Sequence, residues 1–304
     1  MFDILVAGEI NPDLILTGDV VPRFEQIEQR LDRALLTIGS SSAIFACGAA
    51  RLGLKTAFVG VCGDDVFGRF MLDALQERGV DIANVDVRPG QVTGLSVILV
   101  GAPDRAILTL PGLIPELCAA DVSDALLRQA RHLHVASYFL QTGLQPDLVG
   151  LFQRAHDLGL TTSLDTNYDP SEQWASLERV LPLANVFLPN AREATSLSGE
   201  ADVEQAARSL AAQVETVAVK LGPEGALGVR QGVLERVPSI PVKFVDAIGA
   251  GDSFDAGFLY AYLNHWDLKR SLQLACACGG LSVQQAGGTD GQPTLQEALR
   301  LVPG

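Results

Sequence analysis

Apolar and polar positions along this chain fall into blocks whose period changes. Residues 2–8 form an almost unbroken apolar run of strand length, the pattern of a strand covered on both faces. Residues 42–52 read as a helix of small residues, and 56–61 as the next strand. After Asp64-Asp65, the positions Phe67, Phe70, Met71, Ala74 and Leu75 recur at three- and four-residue spacing. That spacing predicts an amphipathic helix; the aspartates suit its positive end, and Gly79 stops it. Further strands are predicted over 132–137, 160–165, 185–188 and 216–221, with helical stretches such as 146–158 and 203–213 among them. The alternation predicts an α/β fold with a mostly parallel sheet and helices on both faces.

Two regions break this rhythm. Residues 13–38 and 93–110 hold short β-prone runs without helices between them, such as Leu14-Ile15-Leu16-Thr17. They are expected to pair as a small antiparallel sheet beside the main one, a lid over a cleft. No repeat, low-complexity tract or linker interrupts the sequence, so a single domain over 1–304 is expected.

Composition narrows the function. Hydrophobic residues make up 48% of the chain and aromatics 6%, so a large aliphatic core is available. The net charge is −14, and Lys55, Lys220, Lys243 and Lys269 are scattered, which argues against nucleic acid and anionic membranes as partners. Five cysteines without regular spacing suggest free thiols in a reducing compartment, with Cys276 and Cys278 as small packing residues. No basic leader followed by an apolar segment and no run of spanning length is present, so a soluble, cytoplasmic protein is expected.

The chemistry concentrates late in the chain. Residues 242–245 read as the end of a strand, Asp246-Ala247-Ile248-Gly249-Ala250-Gly251-Asp252 as a glycine-rich turn, and Phe254, Phe258 and Tyr262 as one face of a helix. The first N–H groups of a helix lack internal partners and its dipole is positive there, so such a turn receives a phosphate. Asp252, at the junction, is placed to cap the helix or to take a proton from an attacking hydroxyl. Neither GxxxxGK[ST] nor GxGxxG occurs, which excludes a P-loop and weakens a dinucleotide reading.

Residues 246–254 resemble the C-terminal signature of the ribokinase-like (PfkB-type) carbohydrate kinase family, D-T-x-G-A-G-D-x-F. The stretch from Gly39 to Asp65 is similar to that family's N-terminal signature. The resemblance covers essentially the whole chain. It implies an ATP- and Mg²⁺-dependent kinase acting on a carbohydrate hydroxyl, with Asp252 as base and the amides of Gly249, Ala250 and Gly251 as an anion hole. By the same resemblance, Asn11, Asp13, Gly39, Ser41 and Asn167 bind the sugar, and Arg105 on the lid is a candidate charge beside it. Lys220, Gly222 and Gly225 belong to a turn that resembles the family's nucleotide site. Asn190 and Glu193 resemble its N-x-x-E motif, associated with magnesium. Asp246 matches a position tied to a monovalent-cation loop, although Ala247 replaces the usual Thr. A homodimer through the lid is also implied.

Departures from the family pattern bear on the substrate. Ile44 replaces an Asn that usually touches the sugar, Ser40 replaces the second Gly, and Asp169 stands where related kinases of sugar acids carry an Arg. A carboxylate facing a carboxylate repels it, so a neutral sugar is expected. The alternatives are a nucleoside kinase, with Ile44 and Phe45 lining a base pocket, and a non-catalytic sugar or nucleotide sensor.

Overall fold

The computed structural model describes residues 1–101 and 104–303; positions 102 and 103, within the expected lid, and residue 304 lie outside the described residues. The strands are β1 (Ile4–Ala7), β2 (Pro12–Gly18), β3 (Leu31–Ile38), β4 (Thr56–Gly63), β5 (Asp81–Arg88), β6 (Leu95–Gly101) and β7 (Asp104–Leu110). They continue with β8 (His132–Val135), β9 (Thr161–Leu164), β10 (Val186–Phe187), β11 (Thr216–Lys220), β12 (Ala226–Arg230) and β13 (Val233–Val237). The helices are α1 (Ser41–Arg51), α2 (Val66–Glu77), α3 (Asp124–Leu127), α4 (Leu148–Asp157), α5 (Ala191–Ser198), α6 (Val203–Leu210), α7 (Ala250–Leu263), α8 (Leu268–Ser282) and α9 (Leu295–Leu299).

Nine strands form one sheet in the order β13-β12-β11-β10-β9-β8-β1-β4-β5. Neighbours from β11 to β5 are parallel, while β12 and β13 add an antiparallel edge. Every residue of β1 and β4 is buried, which explains their continuous apolar sequence. One core, on the side of α1, α2, α7 and α8, gathers Phe45, Phe58, Met71 and Phe258. The other, on the side of α4 and α6, gathers Phe152, Leu164 and Phe187. The α2 helix starts where its pattern predicts: Asp65 accepts from the Gly68 N–H at 2.8 Å.

Strands β3-β2-β6-β7 form a second, small sheet. It is mixed rather than antiparallel, because β2 pairs with β6 in parallel. That pairing joins strands from two distant segments, which no hairpin links. Residues 242–245 are not a strand. Pro238 and Pro241 just before them lack ladder donors, and among the described backbone bonds the Val245 N–H, 2.8 Å from the Val283 oxygen, ties the stretch to a neighbouring segment.

Buried polar groups sit within the large sheet as well. His132 on β8 bonds Thr161 and Ser163 at 2.7 Å, and Ser163 bonds His134 at 2.8 Å. All five cysteines are free; Cys276 and Cys278 pack in the core with Cys47 and Cys62, and Cys118 is exposed. No helix among the described residues is long and apolar enough to cross a membrane.

Candidate active site

The strand order turns at β1, whose neighbours lead away to both sides of the sheet, and in such sheets ligands bind beyond the carboxyl ends of the strands. Chemistry-bearing residues collect at those ends. Glu9 follows β1, Ser137 follows β8, Asp165 follows β9, Asn190 follows β10, and Lys220 closes β11. The N-termini of α1 and α7 meet them there.

Glu9 is a buried strut. Its carboxylate accepts from Ser42 Oγ at 2.5 Å, the Ser42 N–H at 3.3 Å and Ser137 Oγ at 2.8 Å. Ser40 donates to the Glu9 carbonyl at 2.6 Å and caps α1 by accepting from Ala43 N–H at 3.0 Å. Its φ of 66° explains why the family's pattern has glycine there; these two bonds hold a serine in the left-handed region.

The glycine turn is tightly constrained. Asp246 accepts from the N–H groups of Ile248 and Gly287, both at 3.0 Å, and so ties two loops together. Gly249 has φ 70°, and a Cβ on it would lie 2.7 Å from Gly288 Cα and 2.9 Å from Ile44 Cγ2. Ile44 therefore braces the turn. Phe45 stacks on His134, with centroids 3.8 Å apart, and faces the core, so it lines no base pocket. No side chain caps α7; the Ala250 N–H reaches the Ala247 oxygen at 3.3 Å.

Asp252 lies in the first turn of α7 and is 9% exposed. Burial, with the charge of Asp165 nearby, pushes its carboxyl up to about 8, against the opposing pull of Lys220 and a hydrogen bond from Ser41. Ser41 also bonds the Asn167 amide, whose nitrogen lies 3.1 and 3.2 Å from the two Asp165 oxygens.

Lys220 is held between Asp165 at 2.7 Å and Asp255 at 3.1 Å. Burial opposes its charge, but Asp165, Asp255 and Glu193 keep its pKa well above the ordinary value. Its ammonium also stands beside Gly251, 3.7 Å from where a Cβ would be, which is ordinary van der Waals contact. Burial would raise Asp165, yet Lys220 carries it below the usual carboxylate range. Asp255 is pushed well up by burial, and its Oδ1 has no partner among the described residues. The carboxylates of Asp165, Asp252 and Asp255 offer oxygens within 4.8 Å of one another.

Asn190 and Glu193 close a capping box on α5. The Asn190 N–H and Nδ2 donate to the Glu193 carboxylate at 2.8 and 2.5 Å, and Asn190 Oδ1 accepts from the Glu193 N–H at 2.9 Å. Burial, then the charge of Asp165, raises Glu193 to about 7. Gly222 and Gly225 shape the β11–β12 turn with φ 57° and 98°; a Cβ on Gly225 would collide with the Val237 carbonyl.

The small sheet presents one polar row. Its register places Thr37 opposite Asp13, Asp13 beside Ser96, and Ser96 opposite Thr109. Asn11 donates to Ser96 Oγ at 3.3 Å, and Ser96 and Thr109 share a bond of 3.1 Å. Burial pushes Asp13 up to about 7, with Arg105 opposing and Glu9 and Asp246 adding to the rise. Gly39 is glycine because a Cβ would collide with the Asp13 carboxylate.

Asp169 corrects an expectation. Its carboxylate accepts from the Ser171 N–H and Oγ at 2.8 Å and from the Trp174 N–H at 2.7 Å, so it is turned into its own loop, which it folds. Glu9 and Asp255 escaped the sequence reading. Asp255 carried a signal: it lies three residues after Asp252, on the same face of the helix.

The model of the pfkB family of carbohydrate kinases matches residues 1–295. The chain belongs to that family. The kinase is 28% identical over 306 residues to ribokinase of Haemophilus influenzae, covering 98% of this chain and 97% of the relative. It is 32% identical over 276 residues to 2-dehydro-3-deoxygluconokinase of Bacillus subtilis, covering 83% and 82%. Among solved structures, a protein assigned to ribokinase II from E. coli, in complex with ATP and Mg²⁺, superposes with a TM-score of 0.87 at 25% identity over 99% of both chains.

Proposed function

We propose that this carbohydrate kinase transfers the γ-phosphoryl group of ATP to a hydroxyl of a small neutral sugar, with Asp252 as general base. The observation that carries this reading is a buried, elevated carboxyl in the first turn of an uncapped helix, directly after a turn in which Gly249 leaves no room for a side chain. Asp252 accepts the hydroxyl proton as that oxygen bonds to the γ-phosphorus, and the bond from this phosphorus to the β-phosphate oxygen breaks. The turn of Gly249, Ala250 and Gly251, with the positive end of α7, meets the charge on the transferring group. Lys220 adds a fixed positive charge beside Gly251.

On the acceptor side, Asp13 accepts sugar hydroxyls, and Asn11, Ser41 and Asn167 complete the polar lining. The surplus of carboxylates there, Glu9 and Asp13 with Asp165, Asp252 and Asp255, favours a neutral acceptor over an acid. Asn190 and Glu193 fit a role beside Mg²⁺, because burial and the charge of Asp165 raise the Glu193 carboxyl, a cost that a nearby cation would offset; the ion would neutralise phosphate oxygens. The two-glycine turn at Gly222 and Gly225 suits a nucleotide lying against the backbone. The loop pinned by Asp246 suits a monovalent cation.

The small sheet acts as the lid of this site, excluding water from the phosphoryl group. Its outer face is apolar, with Leu36, Leu108 and Leu110 exposed, and a second copy of the chain is the occupant that buries them as a homodimer.

The test is ADP release across neutral sugars, sugar acids and nucleosides for the wild type and Asp252→Asn. Loss of turnover by ~10²–10⁴-fold is expected for the variant. Undiminished turnover removes the base assignment; a sugar acid or a nucleoside as the best acceptor overturns the neutral-sugar reading.

A further inference from the structure

Ile248 differs from the loop around it. Residues 241–247 are exposed or half-buried, with Phe244 67% and Val245 49% exposed, whereas Ile248 is 5% exposed. Neither large core holds it. It clusters instead with Ile15 and Ile98, with Leu35 packed alongside, all from the small sheet. These three form one cross-strand row, since Ile15 pairs with Leu35 on one side and Ile98 on the other.

The adjacent row on the same face carries Asp13. Residues 13 and 15 of β2 lie about 7 Å apart along the strand and point the same way. One strand thus bears both the carboxylate that reads the acceptor and the apolar pad that seats Ile248. The backbone of Ile248 is pinned through Asp246, and Gly249 is wedged against Gly288 and Ile44. A shift of the Ile248 side chain therefore passes into the glycine turn, because the neighbouring loop is not free to absorb it.

We propose that Ile248 is a positioning residue that couples the seating of the small sheet on the sugar to the geometry of the turn at 249–251. The inference rests on the reading of Asp252 and this turn as the phosphoryl-transfer site. A sugar held by Asp13 draws β2 down, Ile15 and Ile98 clasp Ile248, and the turn is set. Without that clasp the amides are misplaced, and a misplacement of about 1 Å costs ~10²-fold in rate.

A double-variant cycle tests this. Ile248→Ala and Ile98→Ala are each expected to lower sugar-dependent kcat by ~10- to 100-fold, with KM for ATP little changed. The double variant should be no slower than the slower single one, because both remove one contact. Ile248→Val should recover most of the rate. Multiplying losses in the double variant, a wild-type kcat for Ile248→Ala, or no recovery with Val would each overturn the proposal. Should Ile248→Ala fail to fold, Ile15→Ala, Ile98→Ala and their double carry the same cycle from the other side. Asp252→Asn separates the two readings. If it is inactive while the cycle is multiplicative, the base assignment survives and the coupling falls. If it is active, the reading of the site itself is wrong.

Discussion

The glycine turn and the small sheet, the two walls of the proposed site, are built differently. The glycine-turn wall is over-determined: Gly249 has backbone on one side and Ile44 on the other, and Lys220 is locked between two buried carboxylates. The small-sheet wall is one layer of strands with exposed apolar residues behind it, and its polar row is held by hydrogen bonds of 3.1–3.3 Å. The first wall tolerates no change of shape, whereas the second can alter its side chains while keeping its ladder. Chemistry common to a family belongs on the first kind of wall and substrate choice on the second.

The sharpest way to break this contrast is Gly249→Ala. A left-handed φ costs an ordinary residue ~1–2 kcal/mol, and the new methyl must also displace Gly288. We expect a kcat loss of at least ~10²-fold and a lower melting temperature, read by ADP release and thermal unfolding. Next is Lys220→Met, which leaves Asp165 and Asp255 buried without their cation. A destabilisation of ~3–5 kcal/mol is expected in urea unfolding, together with loss of activity.

Asp252→Asn sharpens the comparison through pH. The folded protein keeps the Asp252 proton up to about pH 8, while the unfolded chain releases it near the ordinary value of 3.8. Stability is therefore lost as pH rises through that window, and the variant escapes the loss. Its melting temperature should exceed that of the wild type by ~5 °C or more at pH 8, with the gap narrowing toward pH 5. Measuring the difference cancels His132 and His134, whose burial depresses their pKa and destabilises the fold on acidification. In the wild type, kcat/KM should rise with pH toward about 8 as the base ionises. The smallest effect is expected on the small-sheet wall. Ser96→Ala should raise the sugar KM by ~5-fold, the cost of one hydrogen bond, and leave kcat within about twofold. If Ser96→Ala proves as damaging as Gly249→Ala, the distinction between the walls fails.

The sequence made one wall more legible than the other. Gly249, Gly251 and Asp252 announce themselves by local grammar, because a glycine turn running into a helix needs no distant partner to be recognised. The parallel strands were equally plain, since burial on both faces leaves continuous apolar runs. Pairing between β2 and β6 was not legible: residues more than 80 apart set it, and no turn encodes it. Lys220 was visible as a charge at a strand end, but its clamp needs carboxylates from two other segments. Asp169 misled because a residue's position in a motif says nothing of where its side chain turns.

The cysteines give the folded molecule a built-in clock. Cys118 lies at the surface, while the other four thiols are sealed in apolar packing that also suppresses their ionisation. An alkylating reagent should consume one equivalent at once and the remaining four only at the pace of opening. The protein can thus report its own unfolding rate without any engineered label.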